Sequence, residues 1–356
     1  MEEVSFMEGL AMTAKVNGFW DGRTVLVTGA TGIIGSWIVK ELVARSAEVV
    51  ALVLDSNPQT ELYRSGTIRS VRVVNGCLED IRTLERAVVT YSIDTVLHLG
   101  AQAIVEAAAM SPLATFETNV RGTWNILEVC RLHRGLVKRV VVASSDKAYG
   151  EQKDLPYTEE MALHPKHPYE VSKSCADLIA QSYYRTYSLP VAVARCGNVY
   201  GGGDLNWSRI VPGTIKALYH GQQPFLRSDG SYIRDYIYVK DVVQAYLALA
   251  ENLDSDEIHG QAFNFSTESR ITVNKIVDSI REMMGCTNIH PIVLNNANGE
   301  IRNQYLSAAK AQRLLGWKAV YGLENGLQET IQWYQEFLSS TGRQATPVQS
   351  AIATSV

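Results

Sequence analysis

No two cysteines in this 356-residue sequence form a Cys-x-x-Cys pair, and the five present (Cys77, Cys130, Cys175, Cys196 and Cys286) are widely spaced and odd in number. That pattern argues against a zinc ribbon or a disulfide framework, and no metal is expected. Excess positive charge is missing too. Lys and Arg total 33 against 37 Asp and Glu, a formal net charge of −4, with no long basic block. Neither nucleic acid nor an anionic membrane surface is therefore expected as a partner. A local anionic ligand stays open, because a pocket needs only a few donors. No apolar run approaches the roughly 18–20 residues that span a bilayer. Met1–Asn17 lacks the basic start, apolar stretch and small-residue cleavage site of a secretory signal. Cytoplasmic residence with free thiols is expected. No internal repeat is visible.

The hydrophobic content, 46%, suits a globular chain with a real core. In the first half, short apolar runs alternate with amphipathic stretches. Strands are expected at Thr24–Thr28, Glu48–Leu54, Ile68–Val74, Thr95–Leu99, Arg139–Ala143 and Val191–Arg195. Helices are expected at Ile33–Arg45, Leu84–Tyr91, Leu113–Leu132 and Tyr169–Tyr187. That alternation predicts an α/β fold whose parallel sheet is covered on both faces. After residue 200 the pattern loosens into glycine-rich turns, with helices expected at Lys240–Glu251 and Val273–Met284. This half is expected to cap the first. Ser339–Val356, rich in Ser, Thr, Ala and Gln, reads as a mobile tail.

The first strand runs into Gly29-Ala30-Thr31-Gly32-Ile33-Ile34-Gly35 and then a helix. Glycines there make a tight turn, let backbone approach a pyrophosphate and let the helix pack close to the strand. The helix N-terminus offers free N–H groups to the phosphates. The plain alternative is a glycine-rich turn with no ligand; the strand–turn–helix context favours the dinucleotide reading. An acidic residue should follow the second strand to hold the ribose, and Asp55 is the candidate. The apolar run also aligns with Val53 in that position, which leaves Asp55 a solvated loop acid. No Arg lies between Val53 and Pro58 to meet a 2′-phosphate, which favours NAD over NADP.

Tyr169 and Lys173 are four apart and share a helix face. A lysine ammonium there is expected to favour the phenolate of Tyr169, which could then take a proton from a substrate hydroxyl. After the fifth strand comes Ser144-Ser145-Asp146-Lys147-Ala148-Tyr149-Gly150, at the carboxyl end where ligands bind such sheets. A serine hydroxyl here could bond the reacting oxygen. Turn chemistry for the serines and a solvated pair for Asp146 and Lys147 are the bland alternatives.

Together these motifs resemble the extended short-chain dehydrogenase/reductase family, in its nucleotide-sugar epimerase/dehydratase branch. The likeness runs from Phe19 to about Leu338. It includes His98–Gln102, Asn119–Thr123, Arg195–Gly203, Arg234–Asp241 and Leu315-Gly316-Trp317. The Asp146-Lys147 pair, Phe19-Trp20-x-Gly22-Arg23 and Gly197–Asp204 look most like the CDP-glucose 4,6-dehydratase subfamily. The resemblance implies a Rossmann-type doubly wound parallel sheet with a smaller mixed α/β C-terminal substrate-binding region. It implies an N-terminal extension over 1–18, an NAD-binding unit over 19–195, a mainly substrate-binding region over 196–338 with some segments returning to the sheet, and a tail over 339–356. NAD would contact Gly29, Thr31, Gly32, Ile33, Ile34, Gly35, Asp55, Leu78, Leu99, Gly100, Ala101, Asn119, Tyr169 and Lys173.

The implied reaction turns a nucleoside-diphosphate hexose into its 4-keto-6-deoxy form. Tyr169, with Lys173 and Ser145, would remove the C4 hydroxyl proton as hydride passes to NAD. Asp146 would protonate the departing C6 hydroxyl and Lys147 would take the C5 proton. Asn198, Arg209, Arg234 and Arg302 would bind substrate. A 4-epimerase with the same Tyr, Lys and NAD is the alternative, and a non-catalytic nucleotide sensor a more distant one. The family pairs as homodimers through two helices, here Leu113–Leu132 and Tyr169–Tyr187. Two departures stand out: Cys77 where an adenine-contacting Asp is usual, and Glu106-Ala107-Ala108-Ala109 where a serine or arginine is usual.

Overall fold

The computed structural model describes residues 18–296 and 300–342. Six strands of the first half are β1 (Thr24–Thr28), β2 (Glu48–Val53), β3 (Arg72–Asn75), β4 (Thr95–His98), β5 (Arg139–Ala143) and β6 (Val191–Cys196). With Ala262–Phe265 they form one seven-stranded parallel sheet, in the order Ala262–Phe265, β6, β5, β4, β1, β2, β3. The chain leaves β1 toward β2 and β3, then returns to lay β4 on the other side of β1. That reversal opens a crevice at the carboxyl ends of β1 and β4, where ligands bind in sheets of this kind.

Alternating side chains split each strand between two cores. Val25 and Val27 join Ile38, Val39 and Leu42 of the helix Ile33–Ala44 and Val242 and Val243 of the helix Val239–Glu251. Leu26 faces the other way, with Leu84, Ile126, Val129 and Ala180, from helices Ile81–Thr90, Gly122–Leu132 and Pro168–Tyr187. Both faces are covered, so the strands read as continuous apolar runs. A third core, holding Tyr200, Val211, Ile215, Tyr238 and Tyr334, belongs to the second half. It is tied to the sheet's end by a parallel pair, Asn198–Tyr200 with Tyr236–Tyr238.

Three elements differ from the sequence reading. The third strand begins at Arg72, because Gly66 adopts a left-handed φ of 76° and Thr67–Ser70 closes into a 3-10 turn. The helix expected over Leu113–Leu132 starts as Pro112–Phe116, widens into a π turn over Glu117–Arg121 and resumes at Gly122. Such widenings are frequent at functional sites; this one carries the buried Asn119. The last helix, Leu323–Gly342, runs past Ser339, where the tail was expected to begin. Positions 1–17 of the N-terminal extension and 343–356 of the tail lie outside the described residues. No helix among the described residues is long and apolar enough to cross a membrane.

One buried ion pair locks the helix Pro168–Tyr187 to β6. Arg195 donates through Nε to Asp177 Oδ2 at 2.8 Å and through Nη2 to Asp177 Oδ1 at 2.9 Å, with the side chains 3% and 0% exposed. Its Nη1 donates to the Tyr149 hydroxyl at 2.7 Å. Asp177→Ala leaves a buried guanidinium without its carboxylate, so a loss of about 3–5 kcal/mol in denaturant unfolding is expected. A loss below about 1 kcal/mol would contradict this account.

Candidate active site

The glycine turn is shaped by backbone contact. Gly29 has a φ of 67°, and a Cβ there would lie 2.7 Å from Gly100 N. A Cβ on Gly35 would lie 2.1 Å from Gly29 O. These positions exclude any side chain, so the turn after β1 presses on the turn after β4. The helix Ile33–Ala44 then starts without a side-chain cap and without an acidic residue in its first turn. Its free N–H groups and positive dipole end face the crevice, which suits a pyrophosphate. Thr31, Gly32, Ile33 and Ile34 are at least partly exposed there. Leu78 is buried and touches the positions where side chains on Gly100 and Gly122 would sit. Leu99, Gly100 and Ala101 line the other side, half-buried. Asp55 is exposed, two residues beyond the end of β2, whereas Val53 is buried in the strand.

Five side chains link this crevice to the helix Pro168–Tyr187. Gly100 N–H donates to Thr28 Oγ1 at 2.9 Å, and Thr28 Oγ1 lies 2.8 Å from His98 Nδ1. His98 Nε2 lies 3.1 Å from Thr123 Oγ1, which donates to the Asn119 carbonyl at 2.6 Å. Because the Thr123 proton is committed to Asn119, His98 Nε2 must carry hydrogen and Nδ1 must accept from Thr28. One neutral tautomer satisfies every bond. Asn119 Nδ2 donates to Gln102 O and Ser172 Oγ, both at 2.9 Å, and its Oδ1 accepts from Gln102 N at 2.7 Å. Ser172 donates to the Tyr169 carbonyl at 2.7 Å. Sequence reasoning kept His98 only within a motif and offered Asn119 as a cofactor contact. Their shared part in this chain had no local signal.

Tyr169 and Lys173 lie on the helix Pro168–Tyr187, which opens with Pro at its first position and with Glu170 Oε2 accepting from His167 N. Burial pushes the Tyr169 phenol above its ordinary value. The Arg209 guanidinium pulls it down, the Asp146 carboxylate pushes it up, and a hydrogen bond with Ser145 pulls it down. Lys173 is buried on the same helix. Its Nζ donates to the Ala143 carbonyl at 2.9 Å, at the end of β5. Burial lowers its pKa to about 8, against the attraction of Cys196 and Asp177.

Ser145, Asp146 and Lys147 open the turn after β5. Ser145 Oγ donates to Asp146 Oδ1 at 3.0 Å and accepts from Lys147 N at 3.2 Å. Lys147 Nζ lies 3.1 Å from Asn198 Oδ1 and 3.5 Å from Asp146 Oδ1. Asp146 is 1% exposed, and its Oδ2 has no hydrogen-bond partner; nor has the buried Ser144 Oγ. Arg209 pairs with Asp204 at 3.1 Å and donates to the Ala103 carbonyl at 3.3 Å. Tyr169, Ser145, Asp146, Lys147, Asn198 and Arg209 therefore converge on one place. Arg234 stands beside it, adjacent to Asp235, whose carbonyl accepts from Asn198 N at 2.7 Å. Arg302 is exposed at the rim. Among the described residues no cluster of His, Cys, Asp or Glu could hold a metal ion.

A parallel sheet with a glycine turn at its point of reversal, and Tyr and Lys one helical turn apart beside it, defines the short-chain dehydrogenase/reductase class. Within that class the chain belongs to the nucleotide-sugar dehydratase and epimerase family: the family model described as GDP-mannose 4,6 dehydratase matches residues 26–330. CDP-glucose 4,6-dehydratase of Salmonella typhimurium is 29% identical over 334 residues, which cover 90% of this chain and 92% of that protein. The structure of UDP-glucose 4-epimerase from Thermotoga maritima with UDP-glucose superposes with a TM-score of 0.81 at 28% identity, covering 88% of this chain and 99% of that one. That of dTDP-glucose 4,6-dehydratase from Bacillus anthracis in complex with NAD gives 0.78 at 27%, covering 88% and 97%. Both activities stand among the neighbours, so the fold does not choose between them.

His98 gives the site a testable acid signature. Burial and the nearby Lys173 lower its pKa from 6.5 to about 3. Between those values the unfolded chain binds a proton that the native chain refuses, so stability is lost as pH falls through the window. One such group contributes up to about 1.4 kcal/mol per pH unit. His98→Asn cannot titrate and should flatten the dependence of the urea midpoint on pH between about 3.5 and 6.5. Parallel profiles for the two proteins would remove His98 as the cause.

Proposed function

We propose that this protein is an NAD-dependent nucleotide-sugar 4,6-dehydratase, of the kind that acts on CDP-glucose. The observation that carries the reading is Asp146. A carboxylate oxygen buried without a partner costs free energy unless something else satisfies it. Oδ2 of Asp146 is such an atom, and it belongs to the cluster around Tyr169. A sugar hydroxyl about to leave as water is a fitting partner; a 4-epimerase requires no acid there. The Salmonella relative named for CDP-glucose dehydration supports the same choice.

The glycine turn and the open helix N-terminus suit a dinucleotide, and the Bacillus anthracis neighbour was solved with NAD. NAD rather than NADP is inferred because Asp55, and no arginine, follows β2. When bound, the dinucleotide would supply a reversible hydride acceptor, held by the glycine turn Gly29–Gly35 and the start of the helix Ile33–Ala44. The chain's own residues move the protons. Tyr169 takes the C4 hydroxyl proton, with Ser145 on the reacting oxygen. Lys147 takes the C5 proton and later gives it back, while Asp146 gives a proton to the departing C6 hydroxyl. Those roles need an acid beside an amine. Shifting one proton from Lys147 Nζ to Asp146 Oδ1, across 3.5 Å, turns the ion pair into that state. Over the cycle the C4 hydroxyl proton leaves in the water, and the contacts of Ser145 with Tyr169 and Asp146 offer its route.

Incubation with CDP-, dTDP-, GDP- and UDP-hexoses tests this by product mass. Loss of one water is expected; an isomer of unchanged mass would overturn the dehydratase in favour of the epimerase. Tyr169→Phe should lower turnover by roughly 10²–10⁴-fold, and Asp146→Asn should suppress water loss without loss of bound dinucleotide.

A homodimer is inferred from the outer faces of the two helical segments, where Leu113, Trp124, Leu132, Leu178 and Tyr187 are exposed. Trp124→Glu should shift the sedimentation coefficient from dimer to monomer; a monomeric parent protein would end the inference.

A further inference from the structure

Four charged side chains form a chain along the rim of the substrate side. Arg227 follows the short strand Phe225–Leu226 and pairs with Glu106 of the helix Val105–Met110. Its Nε lies 3.8 Å from Glu300 Oε1, while Glu300 Oε2 lies 3.3 Å from Arg234 Nη2. One carboxylate thus lies between two guanidiniums from separate segments, each oxygen toward a different arginine. Arg234 is fixed in place: its Nη1 donates to the Ile233 and Arg302 carbonyls at 3.0 and 3.1 Å, and its side chain is only 9% exposed. Arg227 and Glu300 are far more open, at 44% and 37%.

Two guanidiniums that face one pair of oxygens present the geometry and charge that phosphate oxygens require. Glu300 satisfies them from within the chain. A half-exposed ion pair of this kind is weak, so a ligand with more negative charge can take its place. The position is suitable. Arg234 precedes Asp235, whose backbone holds Asn198, and Asn198 holds Lys147. Tyr157 feels both Asp146 and Arg234.

We propose that Arg227 joins Arg234 in seating the diphosphate of the substrate, and that Glu300 occupies this seat until the diphosphate displaces it. The proposal rests on the nucleotide-sugar reading above and adds to it a further anchoring residue and an internal competitor. Glu106, on the helix Val105–Met110, pairs with Arg227 and restricts it. The internal carboxylate keeps the arginines paired and lowers affinity for nucleoside diphosphates, because each binding event must break the Glu300 contacts.

Calorimetric titration of the full-length protein with CDP, dTDP, GDP and UDP tests this without any turnover. Binding of at least one is expected. Glu300→Gln should bind that nucleotide several-fold more tightly. Arg227→Ala should bind it at least tenfold more weakly, with a smaller dependence on salt. The open positions of Arg227 and Glu300 leave folding intact, and thermal melts of each variant verify that. If the parent protein binds and Glu300→Gln is unchanged or weaker, or Arg227→Ala is unchanged, the seat is overturned and the nucleotide-sugar reading stands. If the parent binds none of the four and turns over none of their hexose conjugates, that reading fails and the seat falls with it.

Discussion

The neutral imidazole of His98 holds the site together. It joins Thr28, at the end of β1, to Thr123, on the first turn of the helix behind the sheet. From Thr123 the chain of hydrogen bonds passes through Asn119 to Gln102 and Ser172, and so to the backbone of Tyr169. The turn that would cradle phosphates and the residue that would accept the substrate's proton are thereby fixed to one another through buried polar contacts. Buried networks of this type reward complete satisfaction and penalise any missing member. A protonated His98 would have two donors and no acceptor for Thr28. Burial suppresses that form, so the geometry persists across the neutral range.

The widened helical turn over Glu117–Arg121 follows from the same requirement. A regular helix from Pro112 to Leu132 would satisfy Leu113–Leu132 periodicity but aim Asn119 elsewhere. One extra residue in the turn brings its amide against both Gln102 and Ser172. The local hydrogen-bond pattern is given up where a tertiary one replaces it. Asn119 sits 2% exposed, so an unsatisfied amide there would be costly.

Much of the first half was legible in the sequence because its strands are buried on both faces. Thr24–Thr28 and Arg139–Ala143 have the limits that the apolar runs predict, and the glycine turn sits where its spacing requires. The strand Ala262–Phe265 was not legible. It pairs with β6 across more than sixty residues of chain, and no local pattern encodes a partner that distant. The hydrogen bond of Lys173 had no local signal for a related reason: helical spacing places it on the face of Tyr169, while its carbonyl partner lies at the end of β5. The arrangement of Arg227, Glu300 and Glu106 joins segments far apart in sequence, and charge spacing carries no trace of it.

The cation that pulls the Tyr169 phenol downward belongs to the second half of the chain. Arg209 stands at the start of the helix Ile210–Tyr219, anchored by Asp204, and reaches over the crevice to the Ala103 carbonyl. Lys173, on the same helix as the tyrosine, is engaged with the sheet. Burial is the largest influence on the phenol and raises its pKa, and Arg209 opposes it from the other half of the chain. The side chains proposed to recognise the ligand's negative charge and the one that draws the phenol's pKa down thus come from the same part of the fold.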